Sequence, residues 1–395
     1  MSNINRRNFL RSSGSIAIPA VLPFSGLLAN SNQQEGDLPA KPLVKFFGDG
    51  EMYEPSDYIR VLAEADKTVA IAKDRYGVGG VVEALEKNFA ALTGKEKAIF
   101  MPSGTMANQL AIAVLSGQKS KVFVQEVSHV YRDEADAGQT VFQKRLMPLA
   151  KNETYFTAAQ LETAIREMGN EEAFNTGIGA VSIENPVRRT DGGLVPLDEI
   201  KKIRAYCQQQ KIPMHLDGAR LYVASTWSGV SIKEYSSYFD TVYISLYKYL
   251  GASGGAILCG DAAVIDQMVH LIKIHGGSMY GNWTNAAMAL HRMEGAEKRF
   301  KDAKLTAEKL FGALTKTGKF TIEPLTGGTN IYRLTLAKNI DGKNFQTKLN
   351  QQFNIRLPRP DANNQSLISI NETILYQSVD ALADAFVKAT IVDRP

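Results

Sequence analysis

Short apolar runs alternate with longer amphipathic stretches along the middle of this chain, and that alternation restricts the fold more than any other feature. The strand-like runs fall at 98–100, 122–125, 180–184, 214–217, 241–245 and 256–259, with helical patterns between them, such as 106–115, 158–167 and 197–210. Strands that alternate with helices predict an α/β fold, a mostly parallel sheet covered on both faces. In open sheets of this kind ligands sit beyond the carboxyl ends of the strands, so residues just past those ends are the first place to look for chemistry. Near residue 294 the pattern changes. A charged helical stretch at 296–317, closed by Gly318, leads to runs at 320–324, 331–336 and 367–370 and a last helix at 378–389. These read as a smaller α+β domain at 294–395 after a large domain at 45–293.

Lys248 lies in Ser245-Leu246-Tyr247-Lys248-Tyr249-Leu250-Gly251, between two of the apolar runs and on a Gly-rich turn, and Asp217 ends an earlier run, Met214-His215-Leu216-Asp217. A lysine and an aspartate so placed are what a pyridoxal phosphate site requires. The lysine forms the Schiff base, and the carboxylate pairs with the pyridinium nitrogen so that the ring acts as an electron sink. Ser103, Gly104 and Thr105 follow a strand and open a helix, where backbone N–H groups and the dipole favour a phosphate; an ordinary helix cap is the plainer alternative. His129 follows the next strand, either stacked on the ring and handling a substrate proton or as a satisfied surface histidine. Arg220 offers a fork to a substrate carboxylate or serves a structural ion pair.

Other readings concern location and partners. Asn5-Arg6-Arg7-Asn8-Phe9-Leu10-Arg11 resembles a twin-arginine signal, and the apolar run that follows contains Pro19 and Pro23 and is too short to span a bilayer. Residues 1–31 are expected to be a signal peptide, cleaved near Ala29-Asn30-Ser31, and 32–44 a linker. Twin-arginine export carries folded proteins, so a periplasmic or exported protein loaded with cofactor in the cytoplasm is expected, with no stable membrane association once the signal is removed. The two cysteines, Cys207 and Cys259, form neither a disulfide framework nor a zinc pattern, and no metal is expected. A balance of 45 basic against 41 acidic residues argues against a nucleic-acid partner.

The strings Ser103-Gly104-Thr105-Met106-Ala107-Asn108, Ser128-His129, Glu184-Asn185, Gly192-Gly193, His215-Leu216-Asp217-Gly218-Ala219-Arg220 and Lys248-Tyr249-Leu250-Gly251-Ala252, in this order, resemble the threonine aldolase and β-eliminating lyase family of fold-type I pyridoxal-phosphate-dependent enzymes. The resemblance runs from about residue 45 to residue 285. It implies a large domain with a seven-stranded sheet and a smaller C-terminal domain, in homodimers or homotetramers with sites at the subunit interface. It also implies Lys248 as Schiff-base lysine, Asp217 on the pyridinium, His129 stacked on the ring, Arg220 on the substrate carboxylate, and Ser103, Gly104 and Thr105 on the phosphate. Asp49 matches an aspartate of an N-terminal Ser-Asp-Thr string, here Gly48-Asp49-Gly50, and Lys273 matches a lysine near the active site; both join Arg220 as expected substrate contacts.

Three departures concern the substrate and phosphate. Pro186-Val187 replaces Thr-His, whose histidine is expected to touch a β-hydroxyl. Tyr280 stands where an arginine reaches the phosphate, and Ile368 where a second carboxylate-binding arginine is expected, for which Arg356, Arg359 or Arg188 are substitutes. The resulting expectation is cleavage of Cα–Cβ in a β-hydroxy amino acid, to glycine and an aldehyde. The alternatives are β-elimination, transamination or racemisation of another amino acid, or an amino-acid-binding protein of low turnover.

Overall fold

The computed structural model describes residues 42–391 and starts with a two-residue strand, β1 (Val44–Lys45). The signal, its cleavage point and most of the linker expected at 1–44 lie outside the described residues. The apolar runs become β2 (Lys97–Met101), β3 (Lys121–Gln125), β5 (Ile178–Glu184), β6 (Met214–Asp217), β7 (Thr241–Ser245) and β8 (Ala256–Gly260). With β4 (Arg145–Leu149) they form one seven-stranded sheet of order β2-β8-β7-β6-β5-β3-β4. Strands β7, β6, β5, β3 and β4 run parallel, and β8 is antiparallel to both β2 and β7. Strand β4 escaped the sequence reading because it is an edge strand carrying Arg145 and Pro148. An edge tolerates proline, since its outer side has no ladder bond to lose.

Successive side chains of a strand point to opposite faces, and this sorts the sheet into two cores. On one face Met214 and Leu216 of β6, Val242 and Ile244 of β7, and Ile257 and Cys259 of β8 pack with Leu85, Phe89, Ile200 and Ile203. Those partners come from the helices Gly80–Thr93 and Leu197–Gln210. On the other face Tyr243, Ala256 and Leu258 meet Leu110 and Ala111 of the helix Gly104–Ser116 and Met268 of the helix Ala262–Ile274. Each such large apolar side chain contributes about 1.5–3 kcal/mol when fully buried. By the same alternation His215 and Asp217 project onto the second face, beneath the helix Gly104–Ser116. Buried there, they cost stability unless they are hydrogen-bonded.

A second apolar cluster organises the C-terminal part. Strands β9 (Phe320–Pro324), β10 (Ile331–Leu336) and β12 (Gln365–Ser369) form an antiparallel sheet of order β12-β10-β9, while β11 (Ile355–Arg356) pairs in parallel with β1. Phe46, Phe320, Phe345 and Phe386 interlock here, with ring centroids 5.5–6.0 Å apart. Val44 and Phe46, expected at the boundary of linker and large domain, therefore pack with the C-terminal residues. Buried Glu372 ties this part to the helices Trp283–Met293 and Ala296–Thr315 through Arg292 at 2.6 Å and Arg299 at 3.2 Å. Cys207 and Cys259 are buried free thiols, and burial pushes both up to about 12. No helix among the described residues is long and apolar enough to cross a membrane.

Candidate active site

Glu184 ends β5, Asp217 ends β6, and Lys248 follows β7; all three line one cavity of about 240 Å³ beyond the carboxyl ends of these strands. Seven of the nine residues singled out from the sequence line it: Ser103, Gly104, Thr105, His129, Asp217, Arg220 and Lys248. Asp49 and Lys273 do not. Asp49 lies behind Arg220, and Lys273 extends its ammonium over the ring of Tyr76, 5.3 Å from the centroid. Lys248 is 8% exposed, on the turn between β7 and β8, with its ammonium 5.1 Å from the centroid of the Tyr247 ring. That turn closes through Gly255, whose φ of +100° belongs to glycine and whose added Cβ would come 2.8 Å from the Phe100 ring.

One wall is the N-terminus of the helix Gly104–Ser116. Ser103 is its N-cap, with Oγ accepting from the Met106 N–H at 3.2 Å. The N–H groups of Gly104 and Thr105 precede any intrahelical acceptor and present their hydrogens at the helix end. A Cβ at Gly104 would stand 2.1 Å from the Tyr243 hydroxyl, so the close approach of this helix to β7 requires glycine.

The floor is a hydrogen-bonded group of acids. Asp217, 2% exposed, accepts the Asn108 side-chain N–H on Oδ2 at 2.9 Å and the Ala219 N–H on Oδ1 at 3.1 Å. Asn108 also donates to Glu134 Oε1 at 2.8 Å, and that same oxygen lies 3.1 Å from Nδ1 of His129. This bond to Glu134 raises the proton affinity of His129 above the ordinary histidine value, against the opposing effect of burial, and the carboxylates of Asp217 and Glu184 act in the same direction. Glu184 accepts the backbone N–H groups of His129 at 2.7 Å and Arg188 at 2.8 Å; burial, then the neighbouring Asp217, pushes its carboxyl up to about 7. The ligating atoms of His129, Glu134 and Asp217 lie within 4.8 Å of one another, close enough to share a cation. A cation between the two carboxylates would, however, face the Asn108 N–H groups that already bridge them.

Arg220 is the one guanidinium among the described residues that line the cavity. Its Nε and one terminal nitrogen bind Asp49 side-on, at 2.6 and 2.9 Å. A guanidinium has five donors in a rigid plane; Asp49 takes two of them, and the Tyr249 hydroxyl, 3.4 Å from the same aspartate, is a further partner of the guanidinium. The substitutes considered for the second arginine sit elsewhere: Arg188 pairs with Asp133 at 2.7 Å, Arg356 donates to Asn350 at 3.1 Å, and neither they nor Arg359 line the cavity. Val187, Ile368 and Tyr280 also lie off its walls. Val187 and Ile368 are buried, Ile368 within the C-terminal apolar cluster, and Tyr280 is exposed against Tyr76.

The sequence reading missed Asn108, Glu134 and His215 as parts of the site. Each had a signal: Asn108 is four residues past Gly104 and so on the same helix face, Glu134 is on the short segment that carries His129, and His215 is two residues before Asp217 on one face of β6. Replacing Glu134 by glutamine keeps an acceptor near Asn108 and removes the charge. His129 is then expected to titrate lower by about one pH unit, which proton NMR of its imidazole resonances reads directly.

Known proteins resemble this chain in sequence and in fold. Residues 60–336 match the family described as beta-eliminating lyase. The chain is 35% identical over 212 residues to a low-specificity L-threonine aldolase of Candida albicans, covering 53% of this chain and 56% of that protein. It is 31% identical over 223 residues to the alanine racemase TOXG of Cochliobolus carbonum, covering 56% of each. The matches span less than two thirds of the length of these curated relatives. Among solved structures, threonine aldolase of Leishmania major superposes with a TM-score of 0.66 at 17% identity, over 88% of this chain and 98% of that one. At that identity the likeness concerns the fold alone, and the expected fold-type I architecture is the one present. The matched span includes the cavity walls from Ser103 to Gly255, and by that match the chain belongs to the beta-eliminating lyase family.

Proposed function

We propose that this chain is a pyridoxal-phosphate-dependent lyase that cleaves the Cα–Cβ bond of a β-hydroxy amino acid, such as threonine, to glycine and an aldehyde. The observation that carries the reading is the convergence of Lys248, Asp217 and the N-terminus of the helix Gly104–Ser116 on one cavity. The names of the threonine aldolases among its relatives support the same chemistry.

The residues present fit the cofactor. The outward N–H groups of Gly104 and Thr105 and the hydroxyls of Ser103 and Thr105 would hold its phosphate. Asp217, whose oxygens accept only N–H donors, suits a protonated ring nitrogen, and the Lys248 amine would bond its aldehyde carbon. When bound, the cofactor supplies an electron sink for the pair released from the breaking Cα–Cβ bond.

The remaining work falls to side chains. Arg220, held in plane by Asp49 on one side, lines the cavity and would bind the substrate carboxylate with its remaining donors, which orients the bonds at Cα. With Nδ1 directed at Glu134, His129 presents Nε2 as acceptor for the β-hydroxyl proton. The proton lost from that oxygen is balanced by one delivered to Cα. A base with raised proton affinity accepts more strongly but only when neutral, so turnover is expected to fall as pH drops below the His129 titration.

A second reading is racemisation, elimination or transamination. The motive is Val187: no imidazole stands at this position, the residue is packed in the core, and an alanine racemase is among the relatives. Purified full-length protein supplied with pyridoxal phosphate and L-threonine or phenylserine should release an aldehyde. Lys248→Ala should release none, and His129→Asn about 10²–10⁴-fold less. Release of a D-amino acid or a keto acid without aldehyde would favour the second reading, and no product with bound cofactor would favour an amino-acid binder of low turnover.

Self-association is proposed as well. Tyr76, Val78 and Val269 are exposed around a cavity of about 290 Å³, and Tyr280 stands edge-on to Tyr76 at 5.4 Å, an apolar surface of the kind that marks an interface. Sedimentation should show a homodimer or homotetramer, and Val78→Asp combined with Tyr280→Asp a monomer; a monomeric wild type would refute the assignment. Arg6-Arg7 and the segment that follows support export in folded form. Fractionated cells should yield the protein outside the cytoplasm, and Arg6→Lys with Arg7→Lys should retain it inside.

A further inference from the structure

We propose that Asn108 and His215 are positioning residues that link Asp217 to the Glu134–His129 pair, so that the acid beneath the cofactor ring and the imidazole beside it are set together by one amide group. The inference rests on the function proposed above for what Asp217 and His129 do, while the linkage itself stands on geometry.

The chain of bonds allows only one direction. Asn108 spends both side-chain hydrogens on carboxylates, one to Glu134 Oε1 at 2.8 Å and one to Asp217 Oδ2 at 2.9 Å. Its oxygen is thereby turned the other way, toward Nε2 of His215 at 2.9 Å. An amide oxygen can only accept, so Nε2 of His215 carries the hydrogen. Nδ1 is then left as acceptor for the Thr241 hydroxyl at 2.8 Å. Thr241, His215 and Asn108 are each 0% exposed. Burial holds His215 neutral, its titration pushed down to about 4, so the donor it offers Asn108 does not change across the working pH range.

This orientation has a consequence for two neighbouring acids. Glu134 and Asp217 are held by the same amide group, whose two N–H donors stand between the carboxylates. If Glu134 took a proton it would cease to strengthen His129. If Asp217 took one it would no longer match a protonated ring nitrogen. The groups that raise the proton affinity of His129 are Glu134, Asp217 and Glu184, while the cations Arg220 and Lys248 line the same cavity, so its titration reports whether the negative charges around it persist. Asn108 is four residues past Gly104 on the same helix, which places the amide and the phosphate-facing N–H groups on one rigid element.

The test uses the full chain with isotope-labelled histidine, the His129 resonance being assigned by its loss in His129→Asn. In the wild type His129 should titrate above the ordinary value of about 6.5. His215→Leu removes the donor that orients Asn108 and should lower that titration by about one pH unit, as should Asn108→Leu. His215→Gln, whose amide N–H reaches the place of Nε2, should keep the wild-type titration. Where a leucine variant fails to fold, His215→Asn takes its place: its amide mimics Nδ1, not Nε2, and the lowered titration is again expected.

With pyridoxal phosphate added, the pH dependence of the bound cofactor's absorption should change in the same variants and not in His215→Gln. Identical His129 titrations in folded His215→Leu, His215→Gln and wild type would overturn the proposal. Equal lowering in both variants would overturn it too, since that would mean His215 acts by packing. A chain that binds no cofactor yet shows the titration pattern would refute the proposed function and leave the linkage standing, and cofactor binding without the pattern would do the reverse.

Discussion

A carboxylate buried at the end of a parallel strand has to be hydrogen-bonded or neutralised, and Asp217 is such a carboxylate. Its position follows from the alternation of β6, which gives Met214 and Leu216 to one core and His215 and Asp217 to the opposite face. The helix Gly104–Ser116 crosses that face and brings Asn108 to within 2.9 Å of both His215 and Asp217. For this the helix must lie close to β7, and Gly104 is the residue that permits the approach. The same helix turns its N-terminus into the cavity, so satisfying the acid and building an anion site are a single act of packing.

The other groups of the site are fixed by similar economy of elements. Glu184 ends β5 and accepts the N–H groups that open two segments, those of His129 and Arg188. Glu134, on the segment after His129, turns back to meet its ring. Asp49 reaches from the N-terminal part of the described chain to hold Arg220 side-on, and Tyr249, next to Lys248, brings its hydroxyl within 3.4 Å of the same aspartate. Catalytic geometry depends on such supporting contacts as much as on the groups that touch substrate. Here Glu184 comes from a strand end, while Glu134, Asp49 and Tyr249 come from the connections between elements.

The departures from the family pattern fall in a consistent place. Val187 and Ile368, in positions where substrate-contacting side chains are expected, are apolar and buried. The groups proposed to hold the cofactor are retained on the cavity wall, and Arg220 with its Asp49 partner is the remaining fork for a carboxylate. On the proposed function, such a site keeps the groups assigned to chemistry at Cα and lacks both the imidazole expected at the β-hydroxyl and the second arginine expected at the carboxylate. Under the proposed function, cleavage of β-hydroxy amino acids and a different reaction at Cα are the two readings of that arrangement, and product identity separates them.

Periodicity and motif order were enough to read the doubly covered sheet, six of its seven strands and seven of the residues that line the cavity. Those features depend on local pattern: apolar alternation selects strands and helices, and Gly104, Asp217 and Lys248 occupy places that only a few residue types fill. What local pattern could not carry was pairing across the fold. Pro148 hid β4 because its tolerance depends on having no neighbour on one side. The bridge from Thr241 through His215 and Asn108 to Asp217 and Glu134 joins residues over a hundred positions apart. A hydrogen bond between side chains has no sequence period, and the direction of the Asn108 amide is decided by which groups the packed sheet and helix bring to its two ends.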